Sequence, residues 1–385
     1  MAIRQLSSET INRIAAGEVV ERPASVVKEL VENAIDAGAH NIEVVTAEGG
    51  LSLIRVTDDG CGMPPGDLAL AVERHATSKL NEEDLFDIKC LGFRGEALPS
   101  IGAIARLEIR SKTSDDGPGN GIIVDRGSKG PVRPAAVNRG TVVEVRDLFS
   151  ATPARLKFLK TERAENMAVT DTVRRLAMAH PAVSFVVQTG EKKGVHFPRE
   201  AETAEGLLSR LGAIMGRDFM ADALEIPGGG SGASGPMRVF GFAGLPTLHR
   251  PDSSQQFLFV NGRPVRDKLL IGAVKAAYGD LIPKGRSPLL ALFLDVPPSD
   301  LDVNVHPTKA EVRFRDAGRV RGLLIGALAQ ALEAAGHRAS SKGGVLTADA
   351  FVAGVLPQAQ RQADSQSNPS RYEPDHWQQR GGYPS

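Results

Sequence analysis

The stretch Val27-Lys-Glu-Leu-Val-Glu-Asn-Ala-Ile-Asp-Ala-Gly38 decides the fold of the first half of the chain. Apolar residues recur in it every three or four positions, which is the spacing of one face of an α-helix. Proline suits the first turn of a helix and glycine the position just after its end. The sequence therefore predicts an amphipathic helix from about Pro23 to Gly38.

The polar face of this predicted helix carries groups with catalytic chemistry. Glu29 and Asn33 lie one turn apart, and Asp36 follows three residues later on the same face. A carboxylate beside a carboxamide suits water activation next to Mg2+, because the carboxamide oxygen is a hard ligand and the carboxylate can take a proton from the attacking water. On this stretch alone, the solvated face of an ordinary amphipathic helix is the favoured interpretation.

A second stretch, Val56-Thr-Asp-Asp-Gly-Cys-Gly-Met63, ends a predicted strand. An acidic side chain at this position can accept a hydrogen bond from the exocyclic amine of adenine. Gly60 and Gly62 allow the backbone to approach a base closely. Taken alone, Asp-Asp-Gly is also an ordinary turn sequence.

A third pair of stretches places glycines before a predicted helix. Arg74-His-Ala-Thr-Ser-Lys79 is followed by Leu91-Gly-Phe-Arg-Gly-Glu-Ala-Leu98. Free N–H groups and the helix dipole favour an anion at such a helix start. The polar Asn81-Glu-Glu-Asp84 between them suits a mobile lid, whereas a plain loop and a capped helix explain the same pattern. A fourth stretch, residues 138–159, predicts a buried strand leading into a basic helix, which is structural on spacing alone.

Length and composition set limits on the protein class. The 385 residues suit two domains plus extra chain, at roughly 150 residues per domain. Lys and Arg total 46 and so do Asp and Glu, so nucleic-acid binding needs a local basic patch. Two cysteines exclude a disulfide-rich secreted scaffold. No apolar signal segment, membrane-spanning run, zinc motif or phosphate-binding P-loop occurs, so we expect a cytoplasmic protein without membrane contact.

The remaining patterns predict α+β structure in both halves, with a domain boundary near Pro198–Glu205, a flexible loop at Gly228–Gly235 and disorder from about Ser340. The predicted strands are Ile42–Ala47, Leu51–Thr57, Arg106–Ser111, Gly121–Asp125, Thr141–Val145, Arg238–Phe242, Phe257–Val260 and Leu289–Val296. The other predicted helices are Asp67–His75, Gly95–Ala105, Pro153–Met178, Glu202–Met215, Val265–Tyr278 and Ala317–Ala335.

All four stretches occur in one order, and together they resemble the ATP-binding motifs of the gyrase, chaperone, histidine kinase and MutL (GHKL) superfamily. Five segments narrow the resemblance to the MutL family of DNA mismatch repair proteins, over about residues 1–335. They are Ile14–Asn33, Gly92–Leu98, Thr152–Arg155, Phe259–Arg263 and Asp302–Lys309.

The resemblance implies a fold and a domain order. A mixed-sheet GHKL-type ATPase domain would span residues 1–200. A smaller α+β transducer domain, like ribosomal protein S-five, would span residues 201–335. Residues 336–385 would be a disordered linker, and the C-terminal dimerisation domain that follows it in the family would be absent from this chain.

The resemblance also implies roles for individual residues. Glu29 would be the general base, Asn33 would bind ATP and its magnesium, and Asp58 would contact adenine, with Gly62 and Thr141 nearby. Lys309 would reach the γ-phosphate from the second domain and stabilise its charge during transfer. Residues around the phosphates would be Thr77, Ser78, Lys79, Gly92, Phe93, Arg94, Gly95, Glu96, Ala97 and Leu98.

The implied activity is slow ATP hydrolysis with Mg2+. ATP would bring two N-terminal regions together as a homodimer around DNA, with residues ahead of Glu29 at the interface. MutS would act upstream, and a repair nuclease or helicase downstream. The helix Val265–Tyr278 would hold DNA phosphates through basic side chains, and its apolar face would be buried. The basic residues are Arg263, Arg266, Lys268 and Lys275, and the apolar ones Leu270, Val274, Ala277 and Leu281.

Two other functions compete with this interpretation. A histidine protein kinase needs a phosphoacceptor histidine ahead of the nucleotide site, and no histidine precedes Glu29. A non-enzymatic DNA scaffold would bind nucleotide without turnover. The presence of Glu29, Asn33 and Lys309 disfavours the scaffold, and a phosphate-release assay on Glu29→Ala separates the two.

Overall fold

The computed structural model describes residues 7–79, 90–92, 95–114, 117–190, 194–228, 237–302 and 312–353. Met1–Ala335 form one compact unit and Gly336–Ser385 a second. The predicted site residues Phe93, Arg94 and Lys309 lie outside the described residues, as do the predicted lid at 81–84 and all of the predicted flexible loop after Gly228. No helix within the described ranges is both long and apolar enough to cross a membrane.

In the described part of the chain, nine strands form a first sheet in the order β5-β4-β3-β7-β2-β1-β8-β9, with β6 beside β4. The strands are β1 Asn41–Ala47, β2 Leu53–Asp58, β3 Arg106–Lys112, β4 Gly119–Asp125, β5 Ser128–Lys129, β6 Arg133–Ala135, β7 Gly140–Arg146, β8 Ser184–Thr189 and β9 Val195–Phe197. β1 pairs parallel with β8 and antiparallel with β2, so the sheet is mixed.

The helices of the first half are α1 Ser8–Val19, α2 Pro23–Asp36, α3 Pro65–Leu70, α4 Ala97–Ile104 and α5 Glu162–Ala179, with single 3₁₀ turns at Glu48–Gly50 and Pro153–Phe158. Alternate strand residues such as Ile54 and Val56 of β2 are buried with Leu30 and Val31 of α2 in one apolar cluster. This period-two burial leaves the other face of each strand more open, which fixes the side of the sheet on which α2 lies.

A second mixed sheet, of five strands within the described residues, has the order β10-β11-β16-β13-β14. The remaining strands are β10 Ala223–Pro227, β11 Arg238–Gly244, β12 His249–Arg250, β13 Gln256–Val260, β14 Arg263–Val265, β15 Ser287–Pro288, β16 Leu290–Asp295, β17 Leu301–Asp302 and β18 Arg313–Phe314. The remaining helices are α6 Ala204–Met215, α7 Arg217–Asp222, α8 Lys268–Tyr278 and α9 Ala317–Ala353, with 3₁₀ turns at Gly279–Leu281 and Pro298–Asp300.

The second sheet is covered on both faces. One apolar cluster joins it to α6 and α7 through residues such as Leu211 and Phe219. The other joins it to α8 and α9 through residues such as Leu270 and Leu324. The predicted α+β class, with a mixed sheet followed by a second α+β region, is confirmed.

Arg210 of α6 ties the two halves together. The side chain is fully buried, and in the described chain five backbone carbonyls accept its hydrogen bonds. These include the carbonyls of Ala177 at 2.7 Å, Val183 at 3.0 Å and Pro198 at 2.6 Å. Burial lowers the pKa of Arg210 to about 10, which leaves the guanidinium charged at neutral pH.

Several predicted helix boundaries are wrong, among them that of the helix predicted over Asp67–His75, which is α3 at Pro65–Leu70. The helix predicted from Pro153 to Met178 is a 3₁₀ turn and then α5, because Thr161 adopts an extended backbone just before Glu162. α8 begins at Lys268 rather than Val265, because Asp267 caps the N–H groups of Leu269 and Leu270. α9 continues past Ala335 to Ala353, in a stretch without proline. The disorder predicted from about Ser340, and for a linker over residues 336–385, is therefore wrong as far as Ala353.

Candidate nucleotide-binding site

Two predicted stretches meet at the polar face of α2. The Lys79 ammonium donates to Asn33 Oδ1 at 2.8 Å and to Asp36 Oδ2 at 2.6 Å. The Leu91 N–H donates to Asp36 Oδ1 and the Gly92 N–H to Asp36 Oδ2, both at 2.9 Å. Asp36 thus anchors both stretches, although the sequence interpretation gave it no role. Its position one turn beyond Asn33 was the available signal.

Gly92 is a point of close backbone approach. A Cβ there would lie 3.1 Å from both Asn33 Oδ1 and Lys79 Nζ, so a side chain would crowd the polar cluster. Gly95 has a φ of +60°, and a Cβ would lie 2.6 Å from the Ala76 carbonyl oxygen. The two glycines therefore bring the chain before α4 against the polar face of α2 and the end of residues 74–79.

Other residues expected around the phosphates lie in the same region. The Lys79 N–H donates to Thr77 Oγ1 at 3.1 Å, and Ser78 lies between these two residues. Glu96 precedes the first residue of α4, and its carboxylate lies 3.9 Å from His75 Nδ1. Ala97 and Leu98 begin α4, which starts two residues later than predicted because Gly95 interrupts helical backbone geometry.

The expected general base, Glu29, is held by a neighbouring lysine. Glu29 lies one turn before Asn33 on α2, with 18% of its side chain exposed. Lys28 Nζ lies 3.4 Å from Glu29 Oε1 and 2.8 Å from Glu32 Oε1. Burial disfavours the Lys28 ammonium, but the two carboxylates outweigh burial and raise the pKa of Lys28. A charged Lys28 therefore lies beside Glu29, and its ion pair with Glu32 is one that the i,i+4 spacing could have indicated.

The predicted adenine contact, Asp58, lies at the end of β2 on the same side of the sheet as α2. Register pairs Asp58 with Thr141 of β7, and Thr141 with Ser111 of β3. The Ser111 and Thr141 hydroxyls are 2.9 Å apart, and the Gly60 N–H donates to Asp58 Oδ1 at 2.9 Å. Burial raises the pKa of Asp58 to about 6. Sequence reasoning did not identify Ser111, because its place beside Thr141 depends on the register between β3 and β7.

Glycines also shape the surroundings of Asp58. Gly62 has a φ of +69°, and a Cβ would lie 2.3 Å from the Lys112 carbonyl oxygen. Gly140 has a φ of +111°, and a Cβ would lie 2.0 Å from the Asp58 carbonyl oxygen. Side chains at these positions would push the strand ends apart, so both glycines are required by close packing.

The adjacent carboxylate, Asp59, has a structural role. Asp59 Oδ1 accepts from the His40 and Asn41 N–H groups at 2.7 and 2.8 Å, and Oδ2 accepts from the Asn41 side chain at 2.8 Å. Burial raises the pKa of Asp59, but these hydrogen bonds outweigh burial and lower it overall. Asp59 therefore holds the start of β1, and Asp58 is the carboxylate next to Thr141.

Arg263 does not lie on the solvent surface, so its predicted DNA contact is wrong for this structure. Its exposed fraction is 4%, and its guanidinium donates to the Leu91 carbonyl at 2.7 Å and to the Cys90 carbonyl. Arg263 belongs to β14 and not to α8. β14 follows the Asn261-Gly262 turn and pairs with β13 in the second sheet. The exposed basic side chains of the set are Arg266, Lys268 and Lys275.

The apolar face of α8 also differs from its prediction at one end. Leu270 and Val274 are buried as expected, whereas Leu281 is 57% exposed because it follows α8 in a 3₁₀ turn. Ala273 and Tyr278 are buried on the same face. The Tyr278 hydroxyl donates to the Gly244 carbonyl at 2.6 Å, which fastens the end of α8 to the second sheet.

The donor set at α2 fits a magnesium ion that also binds phosphates. Asn33 Oδ1 already accepts a cationic group, the Lys79 ammonium. Within the described residues, His, Cys, Asp and Glu form no cluster of three or more that could hold a metal. Mg2+ is usually held by one or two protein oxygens together with water and substrate phosphates, so one carboxamide is an adequate anchor.

A cleft of about 630 Å³ lies on the opposite face of the first sheet. Its lining includes Thr57, Arg110, Lys112 and Arg139, and it reaches Asp58 only at the strand end. Strand alternation places Thr57 and Arg110 on the face away from Ser111. The cleft has basic side chains but lacks the Glu29–Asn33 pair, so the α2 side is the better candidate for nucleotide chemistry.

Two families match this chain. Residues 21–125 match the family described as histidine kinase-, DNA gyrase B- and HSP90-like ATPase. Residues 211–333 match the family described as DNA mismatch repair protein, C-terminal domain. The two matches fall on the region of α2 and Asp58 and on the second sheet, respectively.

Individual relatives extend these matches. The DNA mismatch repair protein MutL of Rhodospirillum rubrum is 58% identical over 89% of this chain and 54% of its own length. A crystal structure of the N-terminal domain of a DNA repair protein gives a TM-score of 0.67 at 26% identity, over 84% of this chain and 98% of that one. The Aquifex aeolicus MutL ATPase domain with ADP gives 0.53 at 27% identity, over 73% and 94%. The chain thus spans about half the length of full-length relatives such as the R. rubrum protein.

Proposed function

Because the chain belongs to the MutL family of DNA mismatch repair proteins and matches its N-terminal region, we propose that it binds ATP with Mg2+ and hydrolyses it slowly. The observation that carries this proposal is the convergence of Asn33, Asp36, Lys79 and Gly92 at the polar face of α2, one turn from Glu29. The ADP in the A. aeolicus relative supports the choice of nucleotide.

The two ends of the site have different roles. Asp58 accepts a hydrogen bond from the exocyclic amine of adenine. Thr141 lies beside Asp58, because the two residues are paired across β2 and β7. At the other end Lys79 and the backbone around Gly92 and Gly95 contact the phosphates. The predicted contacts of Thr77, Ser78, Glu96, Ala97 and Leu98 belong to the same end, as do those of Phe93 and Arg94. The N–H groups in the first turn of α4 suit this task, since such groups point at an anion without a charge of their own, whereas the N–H groups of Leu91 and Gly92 donate to Asp36.

Hydrolysis uses groups on α2. Glu29 takes the proton of the attacking water, and Lys28 keeps the Glu29 carboxylate in place. Asn33 holds Mg2+, which, when bound, neutralises charge on the phosphates. Lys79 must leave Asn33 Oδ1 for this, because both cations use the same oxygen. Lys309 contributes a further positive charge at the γ-phosphate from the second domain.

We propose the family's domain order for this chain. Residues 1–200 are the ATPase domain, 201–335 the transducer domain and 336–385 a linker. ATP joins two N-terminal regions as a homodimer that encloses DNA, and MutS and a downstream nuclease or helicase are its partners. Exposed Arg266, Lys268 and Lys275 supply phosphate contacts to DNA. The free cysteines favour a cytoplasmic location.

The test is phosphate release together with nucleotide binding. Wild-type protein should bind ATP and release phosphate only with Mg2+. Glu29→Ala should bind ATP similarly but hydrolyse it slower by about 100-fold or more, as expected for loss of a general base. Glu202→Ala, which removes an exposed carboxylate before α6, is the control. Wild-type protein that binds ATP without turnover would favour the scaffold function, and normal turnover in Glu29→Ala would remove Glu29 from the mechanism.

A further inference from the structure

Arg263 reaches from the second sheet to the nucleotide site through a rigid hairpin. Asn261 and Gly262, with φ of +48° and +76°, form the turn between β13 and β14. The Asn261 side chain donates to the Val296 carbonyl and accepts from the Val296 N–H, both at 2.9 Å. The turn is therefore fixed to the end of β16, and Arg263 follows it directly.

The Arg263 guanidinium holds two neighbouring backbone carbonyls. It donates to the carbonyls of Cys90 and Leu91, and its exposed fraction is 4%. Burial lowers the pKa of Arg263, whereas the carboxylates of Glu32, Asp36 and Glu29 on α2 oppose that change. The charge is thus balanced at a distance by the helix that carries the proposed catalytic groups.

The same peptide units are held from their other side by α2. The Leu91 and Gly92 N–H groups donate to the two oxygens of Asp36. The chain at 90–92 is therefore clamped between Arg263 at its carbonyls and Asp36 at its N–H groups. Gly92 is also the point where a Cβ would crowd Asn33 and Lys79.

We propose that Arg263 is a positioning residue that sets the backbone of residues 90–92 for nucleotide phosphates and thereby couples nucleotide affinity to the second sheet. The proposal rests on the proposed ATP-binding function. Coupling of this kind is reciprocal, so bound nucleotide strengthens the attachment of the β13–β14 hairpin to α2. The role needs the planar fork of arginine, since a lysine ammonium cannot make the same paired contact.

The experiment measures ADP affinity of the full chain for wild type, Arg263→Met, Arg263→Lys and the control Arg286→Met, which removes an exposed arginine. We expect Arg263→Met to weaken ADP binding about tenfold or more, the effect of losing hydrogen bonds from a charged group. We expect Arg263→Lys to restore little of it and Arg286→Met to match wild type. Wild-type affinity in Arg263→Met, or full rescue by lysine, would overturn the proposal.

A double-mutant cycle separates positioning from general loss of stability. Arg263→Met and Asp36→Asn act on the same peptide units, so their effects on ADP affinity should be less than additive. Urea unfolding of each variant identifies conditions in which it is fully folded, and Arg263→Gln replaces Arg263→Met if the latter does not fold. Strictly additive effects in folded protein would refute the clamp. Failure of wild-type protein to bind ADP would instead refute the proposed function itself.

Discussion

Protonation of Asp58 should switch off adenine binding below neutral pH. Burial raises the pKa of this carboxyl from 3.8 to about 6. The ionised carboxylate offers the adenine amine two charged acceptor oxygens, whereas the protonated carboxyl turns one of them into a donor and is a weaker acceptor. Nucleotide affinity should therefore fall as the pH drops through about 6, a range in which an ordinary aspartate stays ionised.

The size of the effect follows from the pKa. With a pKa of about 6, the ionised fraction of Asp58 falls from about 97% at pH 7.5 to about 9% at pH 5. ADP affinity should fall with the ionised fraction, by at most the same factor of about ten, which corresponds to ~1.4 kcal/mol of binding free energy. Direct binding by calorimetry at a series of pH values measures this change.

Asp58→Asn is the reference, because the nucleotide phosphates also titrate near pH 6. Its affinity should be low at pH 7.5 and should follow only the phosphate titration. The ratio of wild-type to variant affinity should then change by up to about tenfold between pH 7.5 and 5. A ratio that is constant with pH would refute the assignment of Asp58 to adenine.

The free energy of unfolding provides an independent test of the raised pKa of Asp58. A carboxyl with a raised folded pKa stabilises the fold below its unfolded pKa, and this contribution is lost as the pH rises through about 6. Asp58→Asn should therefore raise the free energy of unfolding at pH 7.5 while weakening ADP binding. A destabilised variant at pH 7.5 would show that Asp58 is mainly structural.

Other predictions concern a metal ligand, a buried cation and a surface cation. Asn33→Ala should weaken Mg2+-dependent ATP binding itself, in contrast to Glu29→Ala, because a metal ligand is lost; equal affinity in calorimetry would exclude Asn33 as a ligand. Arg210→Lys should lower the free energy of urea unfolding by about 3 kcal/mol or more, since buried carbonyls lose their donors, whereas exposed Arg217→Lys should have little effect. Arg266→Glu should reduce DNA affinity and leave DNA-free ATP turnover unchanged. It should also lower the slope of log affinity against log salt by about one per lost phosphate contact. A loss of DNA affinity together with DNA-free turnover would mean that α8 is not a dedicated DNA surface.

Local sequence signals predicted much of the site because they specify local structure. The helical spacing after Pro23 gave α2 and placed Glu29 and Asn33 on one face. The glycines at 92 and 95 predicted the start of a helix just after them, and α4 begins at Ala97. Such signals act within one or two turns of chain, which is the range over which a single sequence carries reliable information.

Contacts between distant segments were not predictable in the same way. Arg263 followed an apolar strand and looked like a surface cation, yet its partners lie more than 170 positions earlier in the chain. Arg210 likewise donates to carbonyls of another segment. A buried charge requires such partners, but no local sequence pattern shows which carbonyls they are. The roles of Asp36 and Ser111 depend on which backbone N–H or strand register faces them.

A crystal structure of the chain with Mg2+ and a non-hydrolysable ATP analogue would locate the nucleotide directly. We expect adenine within hydrogen-bond distance of Asp58, phosphates against Gly92, and the Lys79 ammonium no longer on Asn33 Oδ1. Nucleotide in the cleft on the opposite face of the sheet, against Thr57 and Arg110, would contradict this placement.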